Sequence, residues 1–219
     1  MFNRSTLWIL VIAFGLAGLV SGWLYFNRPQ APAEAPAHPP LRAVQLMDAP
    51  RDLPTFTLQR TEGQRFTPAD LKGHWTLIFL GFTHCPDICP TTLATMKPVQ
   101  AHWREAFPDA TRPQLVFVSV DPNRDTPEVA QRYASAFSPD TVAATTDEAN
   151  LLKFTQSLSM VFMRNAPDDA KKPDQYSVDH SAAMAVINPQ GQLAGFLKAP
   201  FDPAAITQDM DALTRARAP

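Results

Sequence analysis

Hydrophobic and polar positions from residue 53 onward alternate between the periods typical of strands and helices. HWTLIFLGF (74–82) and QLVFVSV (114–120) are apolar runs, as expected of strands buried on both faces. LPTFTLQR (53–60) alternates apolar and polar residues, which favours a half-buried strand. Further short strands are predicted at 141–146, 160–164, 182–187 and 192–198.

Helical segments separate these strands. One helix is predicted from Pro90 onward, and Pro98 is expected to kink or break it, because proline lacks the N–H that an interior helical bond requires. Thr126 and Pro127 predict the start of the next helix, a cap followed by proline at the first helical position. Two more helices are predicted at 147–158 and 203–216. The alternation predicts a mixed α/β fold class, and the order of its elements agrees with a thioredoxin-like arrangement.

The N-terminal region has a different pattern. Residues 7–26 read LWILVIAFGLAGLVSGWLYF and carry no charge, and a helix of about 20 apolar residues spans the hydrocarbon core of a bilayer. A cleaved signal peptide is the alternative, although its apolar region is usually only about 7–15 residues. The length therefore favours an N-terminal membrane anchor.

A proline-rich stretch follows the apolar segment. Residues 28–40 read RPQAPAEAPAHPP, and alternating alanine and proline favours an extended chain of about 3.1 Å per residue. We predict three parts: an anchor at 1–27, a linker at 28–45 and one domain at 46–219.

Charge and cysteine content narrow the function classes. The net charge is −2, so no basic excess indicates a nucleic-acid partner. The two cysteines, Cys85 and Cys89, are too few for a disulfide scaffold. A cross-link between residues four apart closes almost no loop and adds little stability, so their closeness indicates a joint chemical role.

The cysteines lie in GFTHCPDICP (81–90), between a buried strand and a helix. Ligands of open α/β sheets gather at the carboxyl ends of strands. Pro90 suits the first helical turn, so Cys89 is expected at or near the N-cap, where the positive end of the helix favours thiolate; Asp87 opposes this effect. Two thiolates can form a disulfide or hold a soft metal such as Cu(I), whereas structural zinc usually takes four protein ligands.

His180 is the candidate third ligand, because it stands just before an apolar strand at the edge expected to face the cysteine loop. His84 is expected to point away from Cys85, since neighbours at a strand end face opposite sides. His74 and His102 are expected at the surface. The residues alone leave His180 open as a ligand or a surface residue.

Three aspartates are further candidates. Asp121 and Asp125 flank the loop after the second buried strand and would either neighbour the metal site, meet a partner, or form a turn and a helix cap. Asp179 would orient the imidazole of His180, contact a partner, or be a turn residue.

Three stretches together resemble the Sco/SenC family: GFTHCPDICP, SVDPNRDTP (119–127) and VDHSAAMAVINPQGQL (178–193). They occur in the family's order, and the similarity covers roughly residues 50–215. The resemblance implies a thioredoxin-like fold with an N-terminal anchor, copper bound as Cu(I) and Cu(II) by Cys85, Cys89 and His180, and a redox disulfide between the cysteines. It also implies a role in building the CuA centre of cytochrome c oxidase subunit II.

The first functional hypothesis is a copper metallochaperone without catalytic turnover. The second is a thiol–disulfide oxidoreductase, although such motifs usually read Cys-x-x-Cys and this chain has one more residue between its cysteines. The third is a copper or redox sensor. The expected partners are subunit II, a copper donor, a thioredoxin-like reductant and, through the anchor, a bacterial-type inner membrane with the domain on the periplasmic side.

Overall fold

The computed structural model describes residues 3, 14–16, 18–23, 40–167, 171–172 and 174–216. The chain divides into two units, 1–37 and 38–219. Residues 14–16 and 18–23 are helical, but no helix in the described ranges is both long and apolar enough to cross a membrane. Much of the predicted span and most of the predicted linker lie outside the described residues, so the anchor stays a prediction.

The larger unit is built around a six-stranded sheet in the order β1-β10-β9-β4-β5-β6, with two separate strand pairs, β2–β3 and β7–β8. The strands are β1 (Val44–Asp52), β2 (Leu58–Gln59), β3 (Arg65–Phe66), β4 (Thr76–Gly81), β5 (Gln114–Ser119), β6 (Val142–Ala144), β7 (Phe162–Arg164), β8 (Val178–His180), β9 (Met184–Ile187) and β10 (Gln192–Leu197).

The strand register brings three chain segments together at one end of the sheet. Strands β4, β5 and β6 are parallel, so their carboxyl ends lie together, and β9 runs antiparallel to β4. Phe79 of β4 lies opposite Phe117 on one side and Met184 on the other. The loops that follow β4 and β5 therefore meet the segment that enters β9, which carries His180.

Four helices belong to this unit within the described ranges: α1 (Ile88–Ala106), α2 (Pro127–Ser135), α3 (Glu148–Ser157) and α4 (Pro203–Arg215). Short 3-10 turns occupy Thr61–Gly63 and Pro68–Leu71. The side chain of Thr126 accepts the N–H of Val129 at the start of α2, and Pro127 is the first helical residue, which confirms the start predicted there.

Helix α1 continues through Pro98, so of the two predicted outcomes, a kink or a break, the break is wrong and the kink stays a prediction. Proline removes one hydrogen bond from a helix interior. The same helix buries Leu93, Met96 and Trp103, and in folded proteins most helical stability comes from packing of the apolar face. Packing on both sides of Pro98 therefore outweighs the missing bond.

The strand predictions succeed for the core and fail at the edge. Strands β4 and β5 lie within the two apolar runs, and the mixed α/β class is confirmed. The strand predicted at 53–60 is reduced to Leu58–Gln59, whereas β1 was not predicted. Most of β1 is exposed and it pairs only with β10 in the sheet order, so its sequence lacks the alternation of a half-buried strand.

Candidate metal centre

The cysteine loop connects the end of β4 to the start of α1. Cys85 lies in the loop, and Cys89 is the second residue of α1 rather than its cap, because Asp87 occupies the N-cap. The backbone N–H of Cys89 donates to Cys85 Sγ, with an N···S distance of 3.4 Å. The first N–H groups of a helix have no partner within the helix, so the geometry of the helix start holds the Cys85 sulfur one turn from Cys89.

Cys89 is fully buried, although it stands at the start of a helix that follows a loop. Gly81 makes this possible: a Cβ at that position would lie 2.8 Å from Cys89 Sγ and 2.6 Å from the ring of Phe117. Burial raises the pKa of the Cys89 thiol, with the thiol of Cys85 and the carboxylate of Asp125 adding to the effect. In the metal-free protein burial therefore outweighs the helix end, and the predicted preference for thiolate is wrong for Cys89.

A bound cation reverses this balance, because a thiol that coordinates a metal ion is deprotonated outright. If a metal ion is held here, Cys89 must lose its proton, so metal binding and proton release would be coupled.

His180 completes the cluster from β8. Its Nε2 lies 3.6 Å from Cys89 Sγ, and its ring meets those of Phe79 and Phe82 edge-on, at centroid distances of 6.0 and 6.1 Å. Its Nδ1 lies 3.1 Å from the carbonyl oxygen of Ser181. Burial lowers the pKa of His180, which favours the neutral imidazole. With Nδ1–H donating to Ser181, the lone pair of Nε2 is directed toward the sulfurs.

The three predicted ligands thus converge. Sγ of Cys85, Sγ of Cys89 and a ring nitrogen of His180 all lie within 4.8 Å of one another, the one such group of metal-ligating side chains in the described ranges. Both cysteines are free thiols. Two sulfurs and one imidazole nitrogen are donors suited to copper, and their spacing allows a single ion to contact all three.

The competing histidines lie elsewhere. His84 turns toward Asp125, with Nδ1 3.8 Å from Oδ1, and its side chain is 55% exposed. His102 pairs with Asp211 at 2.9 Å, which joins α1 to α4. His74 precedes β4 at the opposite edge of the sheet.

The aspartate assigned to orient the imidazole does not do so through a hydrogen bond. The Asp179 carboxylate accepts from the side-chain amide of Asn165 at 3.1 Å, while the carbonyl of Ser181 holds the His180 ring. Successive residues of a strand face opposite sides, although the negative charge of Asp179 still favours the protonated imidazole of His180. An orienting role of Asp179 without a hydrogen bond and its contact with a partner both stay predictions.

Asp121 lies beneath the segment that leads to β8. Its buried carboxylate forms an ion pair with Arg124 and accepts from the hydroxyl of Tyr176 at 2.6 Å. Arg124 also donates to the backbone carbonyls of Asp174 and Tyr176 and lies 3.7 Å from the centroid of the Tyr176 ring. No local pattern reveals this network, because Asp174 and Tyr176 lie 50–55 residues along the chain from the pair formed by Asp121 and Arg124.

Asp125 is not the cap of α2, since Thr126 takes that position. Its carboxylate is fully buried and accepts hydrogen bonds from Thr83 and Ser119. Asp125 therefore contacts the cysteine loop itself, two residues before Cys85.

Known proteins resemble this chain in sequence. The SCO1/SenC family model matches residues 46–215. The protein named Protein SCO2 homolog, mitochondrial, from Danio rerio is 33% identical over 183 residues, which make up 84% of this chain and 62% of the relative. The chain thus spans about three fifths of that protein's length.

Solved structures agree with the fold. ScoI from Bradyrhizobium japonicum, solved with copper bound, is 30% identical with a TM-score of 0.64, covering 74% of this chain and 99% of that one. Apo Sco1 from Thermus thermophilus is 30% identical with a TM-score of 0.68, covering 82% of this chain and 99% of that one. These neighbours support the thioredoxin-like arrangement. Because the family model matches more than half of this chain, the chain belongs to the SCO1/SenC family.

Proposed function

We propose that this protein is a copper metallochaperone that binds one copper ion and delivers it to the CuA centre of cytochrome c oxidase subunit II. The observation that carries the proposal is the convergence of two sulfurs and one imidazole nitrogen within 4.8 Å. Copper is the cargo rather than a catalytic group, so the protein needs no residue for turnover.

The donor set explains the choice of metal. Thiolates are soft ligands that select Cu(I), and an imidazole nitrogen suits the borderline ion Cu(II). Structural zinc sites almost always have four protein ligands, and this cluster has three among the described residues. The same three atoms therefore serve both oxidation states of copper.

The burial of the ligands suits transfer. Cys89 is buried, whereas Cys85 and His180 are partly exposed. A partner's ligand can approach the copper from the side of Cys85 and His180 while Cys89 still holds the ion. Release then proceeds by exchange of one ligand at a time, and free copper is not needed.

The family resemblance supports the proposed recipient, because a role in building CuA makes subunit II the acceptor. A copper donor and a thioredoxin-like reductant would act before delivery. The sequence-predicted anchor would confine the domain to the periplasmic face of an inner membrane. Confinement raises the effective concentration of the domain for a membrane-bound partner.

Copper analysis of the full-length protein tests the binding step. The reduced protein is expected to hold one copper per chain, and the oxidised protein none at this site, because a Cys85–Cys89 disulfide removes two ligands. Cu(II) should give intense sulfur-to-copper absorption. Equal copper contents in both forms, or weak absorption alone, would show that copper binds elsewhere.

A second candidate is a thiol–disulfide oxidoreductase that reduces the cysteines of the CuA site. The two free thiols one helical turn apart favour it. Two variants separate the candidates: His180→Ala removes the nitrogen ligand but leaves both thiols, whereas Cys85→Ser removes copper binding and disulfide formation together.

Oxidase assembly in cells carrying each variant distinguishes the outcomes. If both variants fail and added copper rescues both, delivery is supported. If His180→Ala assembles the oxidase normally and Cys85→Ser does not, thiol chemistry is the essential function. A sensor that uses the same site predicts failure that copper does not rescue and altered signalling in both variants.

A further inference from the structure

The carboxylate of Asp125 is enclosed by three donors. Oδ2 accepts the backbone N–H of Thr83 at 2.8 Å and the hydroxyl of Ser119 at 2.6 Å. Oδ1 accepts the hydroxyl of Thr83 at 2.5 Å. The side chain is fully buried, and hydrogen bonds to a carboxylate are roughly twice as strong as those between neutral groups.

Two of these bonds fix the backbone and the side chain of one loop residue. Thr83 stands two residues after the end of β4, and the N–H of Cys85 closes a turn over it by donating to the carbonyl of Phe82 at 3.3 Å. Below the turn, the N–H of Val120 donates to the carbonyl of Gly81 at 2.9 Å. The turn that presents Cys85 is thus attached to the end of β5 by the sheet and by Asp125.

Asp125 acts through Thr83 rather than on the metal. Among the described residues, the cluster of ligands that converge comprises Cys85, Cys89 and His180 alone. Asp125 is also not needed to start α2, because Thr126 provides the cap. What remains for this buried carboxylate is to hold the loop.

We infer that Asp125 is a positioning residue for the copper site: through its hydrogen bonds to Thr83 it holds the cysteine loop in the conformation that places Cys85 beside Cys89 and His180. This inference rests on the proposed function for its copper readout. A loop that is already ordered loses little conformational freedom when the metal binds, and such preorganisation appears directly as affinity.

The first variant is Asp125→Ala in the full-length protein. It leaves the Thr83 N–H, the Thr83 hydroxyl and the Ser119 hydroxyl without their acceptor. Partners that orient metal ligands typically contribute 10–100-fold to metal affinity, so the Cu(II) dissociation constant is expected to rise about 100-fold. The sulfur-to-copper absorption should weaken, because a fraction of the copper is bound without Cys85.

Two substitutions of Thr83 give a milder test that does not remove the carboxylate. Thr83→Val deletes the hydroxyl bond and keeps the N–H bond, and the dissociation constant is expected to rise about tenfold. Thr83→Ser keeps both bonds and should behave as the wild type. Rescue by serine, which is smaller than valine, shows that the hydrogen bond matters rather than the packing.

A matched control removes a second buried carboxylate. Asp209 in α4 is also buried and accepts backbone N–H bonds, from Arg42, Ala43 and Val44. Asp209→Ala should destabilise the fold and leave the Cu(II) dissociation constant and the absorption band near the wild-type values. If it weakens copper binding as much as Asp125→Ala, the effect of Asp125 is general destabilisation and the inference is wrong.

Amide hydrogen exchange provides a readout that needs no copper. In the metal-free Asp125→Ala variant, the Thr83 and Cys85 amides are expected to exchange faster, with the core of β4 unchanged. Unchanged protection of both amides overturns the inference whatever the copper result. If the wild type itself binds no copper through its cysteines, the proposed function fails, and the exchange data still decide whether Asp125 holds the loop.

Discussion

Two fully buried carboxylates, Asp125 and Asp209, hold different parts of this molecule. Asp209 projects from α4 and accepts the N–H groups of Arg42, Ala43 and Val44 at 2.7–3.1 Å, where the chain enters the edge strand β1. Asp125 accepts from Thr83, on the loop that carries Cys85. The first attaches a strand to a helix, and the second attaches a loop to the sheet.

Position in the sheet does not explain this difference. Val44 lies opposite Leu197, Leu197 opposite Met184, and Met184 opposite Phe79, so the start of β1 shares a row with the strand that leads to the cysteines. Both carboxylates thus act near the same end of the sheet, the end where the parallel strands finish. Their donors distinguish them, because the segment that a buried carboxylate holds determines whether it serves stability or the site.

Asp209→Ala is expected to have the largest effect on stability. It leaves three backbone N–H groups without their acceptor, and an unsatisfied buried donor costs about 1–3 kcal/mol. We expect the free energy of unfolding to fall by about 3–5 kcal/mol, since the freed strand start partly reaches water. Urea denaturation of the metal-free protein measures it.

Asp209→Asn is the control for this loss, because its amide oxygen still accepts one or two of the bonds, and a smaller loss is expected. If Asp209→Ala were as stable as the wild type, the stabilising role given to Asp209 would be wrong. If copper affinity fell in proportion to stability across both Asp209 variants, the two carboxylates would not differ in what they serve.

The role of Asp209 is the kind of feature that sequence patterns miss. An aspartate inside an amphipathic helix is expected at the surface, and its donors are about 165 residues away. Strand β1 was missed for a related reason, because its exposed residues show no period. The cores of β4 and β5 were predictable, because strands buried on both faces are apolar throughout.

The candidate site was predictable in membership but not in chemistry. The resemblance named Cys85, Cys89 and His180, and the structure brings these three together. The burial of Cys89 depends on the small size of Gly81 and on the ring of Phe117, which comes from another strand. Such contacts between distant segments decide a pKa, and no local pattern reveals them.

Gly81→Ala should disturb the site without touching either carboxylate. The new Cβ would meet Cys89 Sγ and the Phe117 ring at less than 3 Å, and overpacking of a core typically costs about 1–3 kcal/mol. We expect that loss of unfolding free energy together with weaker Cu(II) binding. Titration of Cu(II) with the variant and the wild type provides the measurement.

Leu80→Val serves as the control for Gly81→Ala, because it alters a buried neighbour in the same strand without adding an atom beside the sulfur. Copper binding should be near that of the wild type. Wild-type affinity in Gly81→Ala would mean that the Cys89 sulfur shifts without consequence for the site.

Tyr176→Phe examines an intermediate case, in which Asp121 holds the segment leading to His180. The substitution removes the hydroxyl that donates to Asp121 at 2.6 Å and keeps the ring beneath Arg124. The expected loss of stability is about 1 kcal/mol, with a smaller change in Cu(II) affinity than in Asp125→Ala. If the Cu(II) affinity of Tyr176→Phe changed as much as that of Asp125→Ala or more, the segment that carries His180 would matter more for the site than the cysteine loop.

The smallest expected effect is the pH dependence contributed by two histidines at opposite edges of the sheet. Burial lowers the pKa of both His74 and His180 below the usual value, and Nε2 of His74 is buried without a hydrogen-bond partner. A histidine takes up a proton near pH 6.5 in the unfolded chain but only at lower pH in the folded protein. The unfolded state therefore binds more protons in this window, and the unfolding free energy of the metal-free protein should fall as pH decreases below about 6.5.

Urea denaturation between pH 8 and pH 5, with His74→Gln and His180→Gln beside the wild type, measures the two contributions. Each variant should show a shallower fall, but only His180→Gln should also weaken Cu(II) binding, because His74 lies far from the cysteines. A fall in both variants as steep as in the wild type would assign the pH dependence to other groups.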